Sequence, residues 1–535
     1  MRCRQILLFP VIIFTTQLLS AGEVKISLED AETGKNLPGL ISIEEYDGKS
    51  VFPPELMNRG FGLSKELGAD ETESIHKWLA LPQPTTVNLP EGVYIVKGFS
   101  GLETEMKSAK FQVTEKGFID LKLTLNRFFN AREQQLYSGN THLHLMKINR
   151  EESDRYLKEI PAVDDLDLVF VSYLERAGAD VTYISNQYWI SDLEQLSAET
   201  SHHLGNGEEH RNNLPGAGSG YGHVMLLDIP ELIQPVSIGQ GIMKTGDDVP
   251  SLQRGIDKAR RDGGTVVWCH NDYGLEDIPN LVTGRIDALN IHDGGRNSNY
   301  DVSYYRYLEA GLRVPFSTGT DWFQFDFSRV YVPMVVAPTN SNQFIDAWLM
   351  QLKQGHSMIT NGPLLTLQVE DALPGDQISL DAPTELKVTG KAYCRNDFRK
   401  LELIVNGQAV KVERSKKVES HYEAEFEFSY KCNEPAWVAL RTPPLPIPPL
   451  DEVNVEFPVN ELGQELYSHT SPVYVTLEGR SRLNKEIVRG LIEEVKESRR
   501  TILKIGRFPD EQSRAAILDV YQEGLEKLEN SLLDR

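Results

Sequence analysis

The chain has 535 residues, more than one hydrophobic core usually serves, so several domains are expected. With 40% hydrophobic and 25% charged residues it is not a disordered or fibrous protein, and a net charge of −23 disfavours binding to nucleic acid or an anionic membrane. Four cysteines are too few for a disulfide framework or a cysteine-rich metal cluster.

The first predicted element is a signal peptide over residues 1–22. Arg2 and Arg4 precede an apolar run from Ile6 to Phe14, and the segment ends in the small residues Ser20, Ala21 and Gly22. That run is well short of the ~20 residues a membrane span needs, so the expectation is a secreted or periplasmic mature chain starting near Glu23 and lacking a span. Over 23–130, VKISLED, PGLISIEEY, GVYIVKGF, KFQVTE and FIDLKLTL alternate apolar and polar residues between turn signals, which predicts a β-sandwich. The stretch from Pro53 to Gln83 breaks the alternation and reads as an elaborated loop.

Over 131–363 the texture changes. The strand-like ADVTYIS, GTVVWCHN and RVPFSTGTDW alternate with the helix-like SLQRGIDKARRDG and SYYRYLEAG, which predicts an α/β domain of parallel strands with helical crossovers. Residues 364–480 return to period two, with Asn406-Gly407 as a hairpin turn, and predict a second β-sandwich. Cys394 and Cys432 lie in it, and spacing leaves both a disulfide and two separate thiols open. The proline-rich RTPPLPIPPL interrupts this region, and 481–535 carry two helical patterns broken at Pro509, a helical hairpin.

Eight of the twelve histidines fall between His142 and His292, inside the α/β block. Histidine is the commonest neutral metal ligand and general base, so this concentration points to a site. In YSGNTHLHLM, His142 and His144 alternate with Leu143 and Leu145, so both imidazoles share one face of a strand. By itself the pair also fits two hydrogen-bonded histidines on a half-buried strand. Other ligand types stand at strand ends nearby: Glu208 or Glu209 in GNGEEHRNN, His223 in GSGYGHVMLL, His270 in GTVVWCHND and Asp321 in VPFSTGTDW. Singly these fit a solvated loop charge, a capped strand end or a helix N-cap. Together they supply the mixed nitrogen and oxygen donors that zinc, manganese or iron accept.

This series resembles the polymerase and histidinol phosphatase (PHP) superfamily of metal-dependent hydrolases. It is closest to the exported carbaryl-hydrolase-like (CehA/McbA-like) branch, whose phrases SMITNGPLLTL and SHTSPVYV also resemble. The resemblance implies a distorted (β/α)7 barrel with up to three divalent ions at its C-terminal mouth. It implies His142, His144, Glu209, His270 and Asp321 as metal ligands, Glu209 as a bridging carboxylate, and His223 or His270 as general acid or base. His292 in LNIHDGG stands at another strand end without a matching ligand phrase. Ser185-Asn186-Gln187 replaces the family's Asp-His-Asn, and Trp322 stands where a histidine is usual; neither an amide nor an indole replaces those ligands, so one or two ions are expected.

The leading expectation is therefore a metal-dependent hydrolase of an ester, carbamate or phosphoester, acting on a small molecule or an extracellular polymer. The alternative is a catalytically weak extracellular binding or scaffold protein, for example carbohydrate-binding. A Ser-His-Asp hydrolase is disfavoured because no G-x-S-x-G elbow is present. The aromatic residues Tyr183, Tyr188, Trp189, Trp322 and Phe323 fit either a pocket lining or core packing.

Overall fold

The computed structural model describes residues 21–63, 74–177, 183–215, 220–270, 274–295, 300, 304–443 and 457–533. Most of the signal segment, of ADVTYIS and of RTPPLPIPPL, and part of the Pro53–Gln83 stretch, lie outside the described residues. The chain is a multidomain α/β protein. No helix among the described residues is long and apolar enough to cross a membrane.

Near the N-terminus, Ala21–Asp30 pairs antiparallel with Thr85–Pro90 and parallel with Phe118–Leu125, and a second sheet holds Gly39–Glu45 between Leu79–Leu81 and Gly92–Phe99. Period-two alternation sends Val24, Ile26, Ile41, Ile43, Val87 and Val96 into a shared core. The other face of the second sheet carries Leu40, Ala80 and Phe99, which join the core of the central region instead. A buried ion pair fixes that contact: Arg59 Nη2 and Nε donate to the two Asp164 carboxylate oxygens at 2.7 and 3.1 Å.

The central region is a ring of strands: β1 (Leu136–His144), β2 (Leu168–Tyr173), β3 (His203–Asn212), β4 (Gly222–Leu227), β5 (Thr265–Trp268), β6 (Ala288–Asn290) and β7 (Phe316–Ser317). Each pairs with the next. Immediately after β7, β8 (Asp321–Trp322) pairs parallel with the end of β1, Leu143 opposite Asp321, and closes the ring. Closure requires close contact: a Cβ on Gly319 would lie 2.4 Å from the His142 Cβ, so only glycine fits. The expectation of parallel strands throughout needs correction at β4, which runs antiparallel to both β3 and β5. Its link from β3, residues 213–221, is too short for the helical crossover a parallel neighbour needs.

Leu143 and Leu145 face outward onto Tyr156, Leu157 and Ile160 of the helix Arg150–Val163. Asn149 and Glu152 form a reciprocal capping box at its start. Pro161 near its end has no N–H to give the Leu157 carbonyl, and buried His202 supplies one, its Nε2 donating to that oxygen at 2.7 Å.

Beyond the ring, β9 (Arg329–Pro333) pairs antiparallel with the first half of β1, β10 (Met358–Thr360) pairs with β9, and Ser468–Thr470 pairs with β10. The same sheet continues through Ala436–Arg441 to Lys400–Val405, so ring and C-terminal β-region share one hydrogen-bonded sheet. Asn406-Gly407 turns the following hairpin with φ of 48° and 79°, the two left-handed residues a type I′ turn requires. Cys394 and Cys432 are separate buried thiols. Two last helices, Lys485–Ile505 and Glu511–Leu533, pack back on the ring through Val488, Leu491, Val520 and Tyr521.

Candidate metal centre

The period of two that places Leu143 in the outer core turns His142 and His144 inward, where both are fully buried. Each ring is held from behind. His144 Nδ1 donates to the Ser172 carbonyl at 2.9 Å and His142 Nδ1 donates to Asp293 Oδ2 at 2.8 Å. A carbonyl and a carboxylate only accept, so each Nδ1 carries a proton and each ring turns its Nε2 to the centre. The two Nε2 atoms stand 3.0 Å apart. Asp321 Oδ1 completes the group at 3.5 Å from His142 Nε2 and 3.9 Å from His144 Nε2.

Glu209 lies beside this group on β3. One of its oxygens, Oε2, faces His144 Nε2 at 3.2 Å, while Oε1 faces His223 Nδ1 at 2.7 Å and His270 Nε2 at 3.5 Å. The carboxylate thus reaches two adjacent donor sets, His142–His144–Asp321 and Glu209–His223–His270, each compact enough to hold a metal ion. The choice between Glu208 and Glu209 is decided by strand alternation. Glu208 points to the other face, 3.2 Å from His210 Nδ1, and accepts from the Ile233 N–H at 2.7 Å.

Backbone and electrostatics both mark the place. His270 and Asp321 adopt φ of 57° and 60°, which non-glycine residues hold only when their surroundings enforce it. Asp321 Oδ1, Asp293 Oδ1 and His270 Nδ1 are buried without a hydrogen-bond partner, which is costly and fits donors awaiting a cation. Burial disfavours charge on His142, but the Asp293 and Asp321 carboxylates outweigh it and hold that imidazole well above the usual histidine range. Burial raises Asp321, whereas for Glu209 the Arg211 guanidinium and His223 overcome burial and hold it well below the usual carboxylate range. Burial pushes His223 down to about 4 despite Glu209.

All five ligands implied by the sequence, His142, His144, Glu209, His270 and Asp321, therefore meet, and His223 meets them. Three neighbours were not singled out from the sequence. Asp293 binds the back of His142. Cys269 lies close to both, its thiol pushed up to about 12 by burial. Arg211, on the Glu209 face of β3, places Nη1 3.2 Å from Glu209 Oε2. The signal for Asp293 was a carboxylate three residues past a strand end in LNIHDGG. His292 beside it packs on Tyr467 instead, ring centroids 4.2 Å apart. Ser185 and Asn186 face backbone, with Asn186 bonded to both the N–H and the carbonyl of Leu174. Of the aromatics, Trp322 lies between His144 and Tyr183, Phe323 and Tyr183 are core, and Trp189 is 72% exposed.

Fold and site thus define a multidomain α/β protein with buried histidine and carboxylate groups positioned to hold a metal ion. No protein-family model matches the chain, and no curated protein does. Among solved structures, the crystal structure of Parabacteroides merdae β-glucuronidase aligns with 82% of this chain at 10% identity and a TM-score of 0.16. The chain spans 60% of that protein's length, and the likeness is too slight to bear on fold or function.

Proposed function

We propose that the chain is an exported metal-dependent hydrolase of ester, carbamate or phosphoester bonds, built on a distorted (β/α)7 barrel of the PHP type. The observation that carries this reading is the pair of Nε2 atoms 3.0 Å apart, both rings backed by acceptors, with an unpartnered Asp321 oxygen beside them. Two lone pairs so placed repel unless a proton or a metal ion lies between them, and Asp321 Oδ1 beside them adds the carboxylate that a metal ion uses. The closed ring of strands supports the barrel.

His142, His144 and Asp321 would hold a divalent ion, with Glu209, His223 and His270 adjoining. Such an ion supplies Lewis acidity and lowers the pKa of water from 15.7 to about 7. Asp293 and the Ser172 carbonyl fix the tautomers of the two leading histidines. His223, whose side chain is 13% exposed and whose ring burial keeps neutral, or His270 would take a proton from the attacking water and return it to the leaving group. Asn213 Oδ1, which accepts from His223 Nε2 at 2.7 Å, orients that ring and leaves Nδ1 beside Glu209 Oε1.

Elemental mass spectrometry of the purified protein, followed by a panel of esters, carbamates and phosphoesters, tests the reading. Stoichiometric zinc, manganese or iron, with turnover abolished by chelation and restored by the metal, is expected. Absence of metal, or a His144→Ala variant with unchanged turnover, would overturn it. The alternative, a catalytically weak binding protein, draws on Ser185 and Asn186 being committed to backbone. It expects bound metal, no turnover on any member of the panel, and retention on an extracellular polymer such as a polysaccharide.

A further inference from the structure

We propose that the centre takes a single divalent cation, on His142, His144 and Asp321, and that the Arg211 guanidinium stands where a second would otherwise be needed. The inference rests on the metal-binding reading above and concerns how many ions the chain accepts.

Arg211 is 6% exposed and follows Glu209 by two residues on β3, so it shares the inward face. Its other donors are committed to neutral oxygens: Nη2 donates to the Glu175 carbonyl at 3.2 Å and Nε to Ser237 Oγ at 3.4 Å. Among the described residues, Glu209 is its one carboxylate partner. A guanidinium cannot shed its proton, so this is a permanent positive charge in a site where burial makes charge matching decisive.

The three carboxylates differ in what already balances them. Glu209 is matched by Arg211. Asp293 is engaged by His142 Nδ1 and, at 3.2 Å, by Asn290 Nδ2. Each of the three keeps one oxygen without a hydrogen-bond partner, but the ion-pair contacts of Asp321 among the described residues are with the imidazoles of His142 and His144, with no guanidinium against it. With imidazoles neutral, as ligation requires, three carboxylates and one guanidinium leave two negative charges, which one divalent ion cancels. A second ion on Glu209, His223 and His270 would face an anion already neutralised and a fixed cation against the same carboxylate. His223 and His270 therefore stay unligated and available to carry protons.

Titration of the metal-free protein with zinc and with manganese, read as ions per chain by elemental mass spectrometry, tests this. Wild type should bind one ion tightly; Arg211→Met, which keeps bulk but drops the charge, should bind two, and Arg211→Lys one. His270→Ala should still hold one ion with less than a threefold change in affinity, while Asp321→Asn should lose it. Two tight ions in wild type, or one in a folded Arg211→Met, overturns the proposal while leaving the hydrolase reading standing. If Arg211→Met fails to fold, loss of the ion in His270→Ala overturns it. No ion in wild type brings down both.

Discussion

Asp321 and Asp326 lie five residues apart on one segment, both buried, and they are treated oppositely. Asp326 is saturated: its oxygens accept from Phe327 N–H and Asn460 Nδ2, both at 2.7 Å, and from Ser328 Oγ at 2.7 Å and Asn361 Nδ2 at 3.0 Å. Two of those donors, Asn361 and Asn460, come from beyond β10 and from the C-terminal region, so it is a fastening. Asp321 Oδ1 has no donor and faces two imidazole nitrogens at 3.5 and 3.9 Å. Burial of a charged group does not by itself mark function; an unsatisfied carboxylate oxygen set against histidine nitrogens points to it, because such burial is costly.

Removing each carboxylate should separate these roles. The largest effect is expected at Asp326→Ala, which strands four buried donors: a loss of about 3–5 kcal/mol in unfolding free energy by chemical denaturation. Bound metal should remain in whatever fraction stays folded. Next is Asp321→Asn, for which metal retention and turnover should fall at least ~100-fold, or about 2.7 kcal/mol, because a ligand should matter at least as much as the groups behind ligands. The metal-free unfolding midpoint should move far less than in Asp326→Ala, since Asp321 Oδ1 has no hydrogen-bond donor to strand. An equal stability loss in the two variants would erase the distinction.

The smallest effect concerns His202, a buried histidine of the fastening kind. Burial holds it at about 4, below the ordinary 6.5, despite the Leu157 carbonyl. A base whose folded-state pKa is depressed lends stability that is fully present above its unfolded value and drains away as pH falls from about 6.5 towards 4. Between pH 8 and pH 6 this one group should cost roughly 1 kcal/mol. His202→Gln, which keeps a donor but does not titrate, should flatten that slope in urea denaturation of metal-free protein.

Much of this was legible in the chain. The H-x-H alternation fixed the inward face of β1, and strand-end position pointed to His270 and Asp321, while the choice of Glu209 over Glu208 came from the family resemblance. Asp293 is hidden in the sequence because residue type singles out its neighbour His292, whereas the geometry follows φ: His292 is itself left-handed, at 57°, and the chain turns there to bring the carboxylate in. Arg211 escaped because a lone arginine on a strand carries no spacing signal. The direction of β4 depended on a short link, and the sheet shared between ring and C-terminal region rests on pairings such as Met358 with Thr470, far apart in sequence.

That shared sheet sets how the molecule can be divided. A fragment cut at residue 363 would keep β10 but lose Ser468–Thr470, leaving a row of bare N–H and C=O groups along Met358–Thr360. An open edge of this kind recruits other strands, from a second copy or from a misfolded neighbour. The central ring is therefore not a detachable module, and its solubility depends on residues more than a hundred positions downstream.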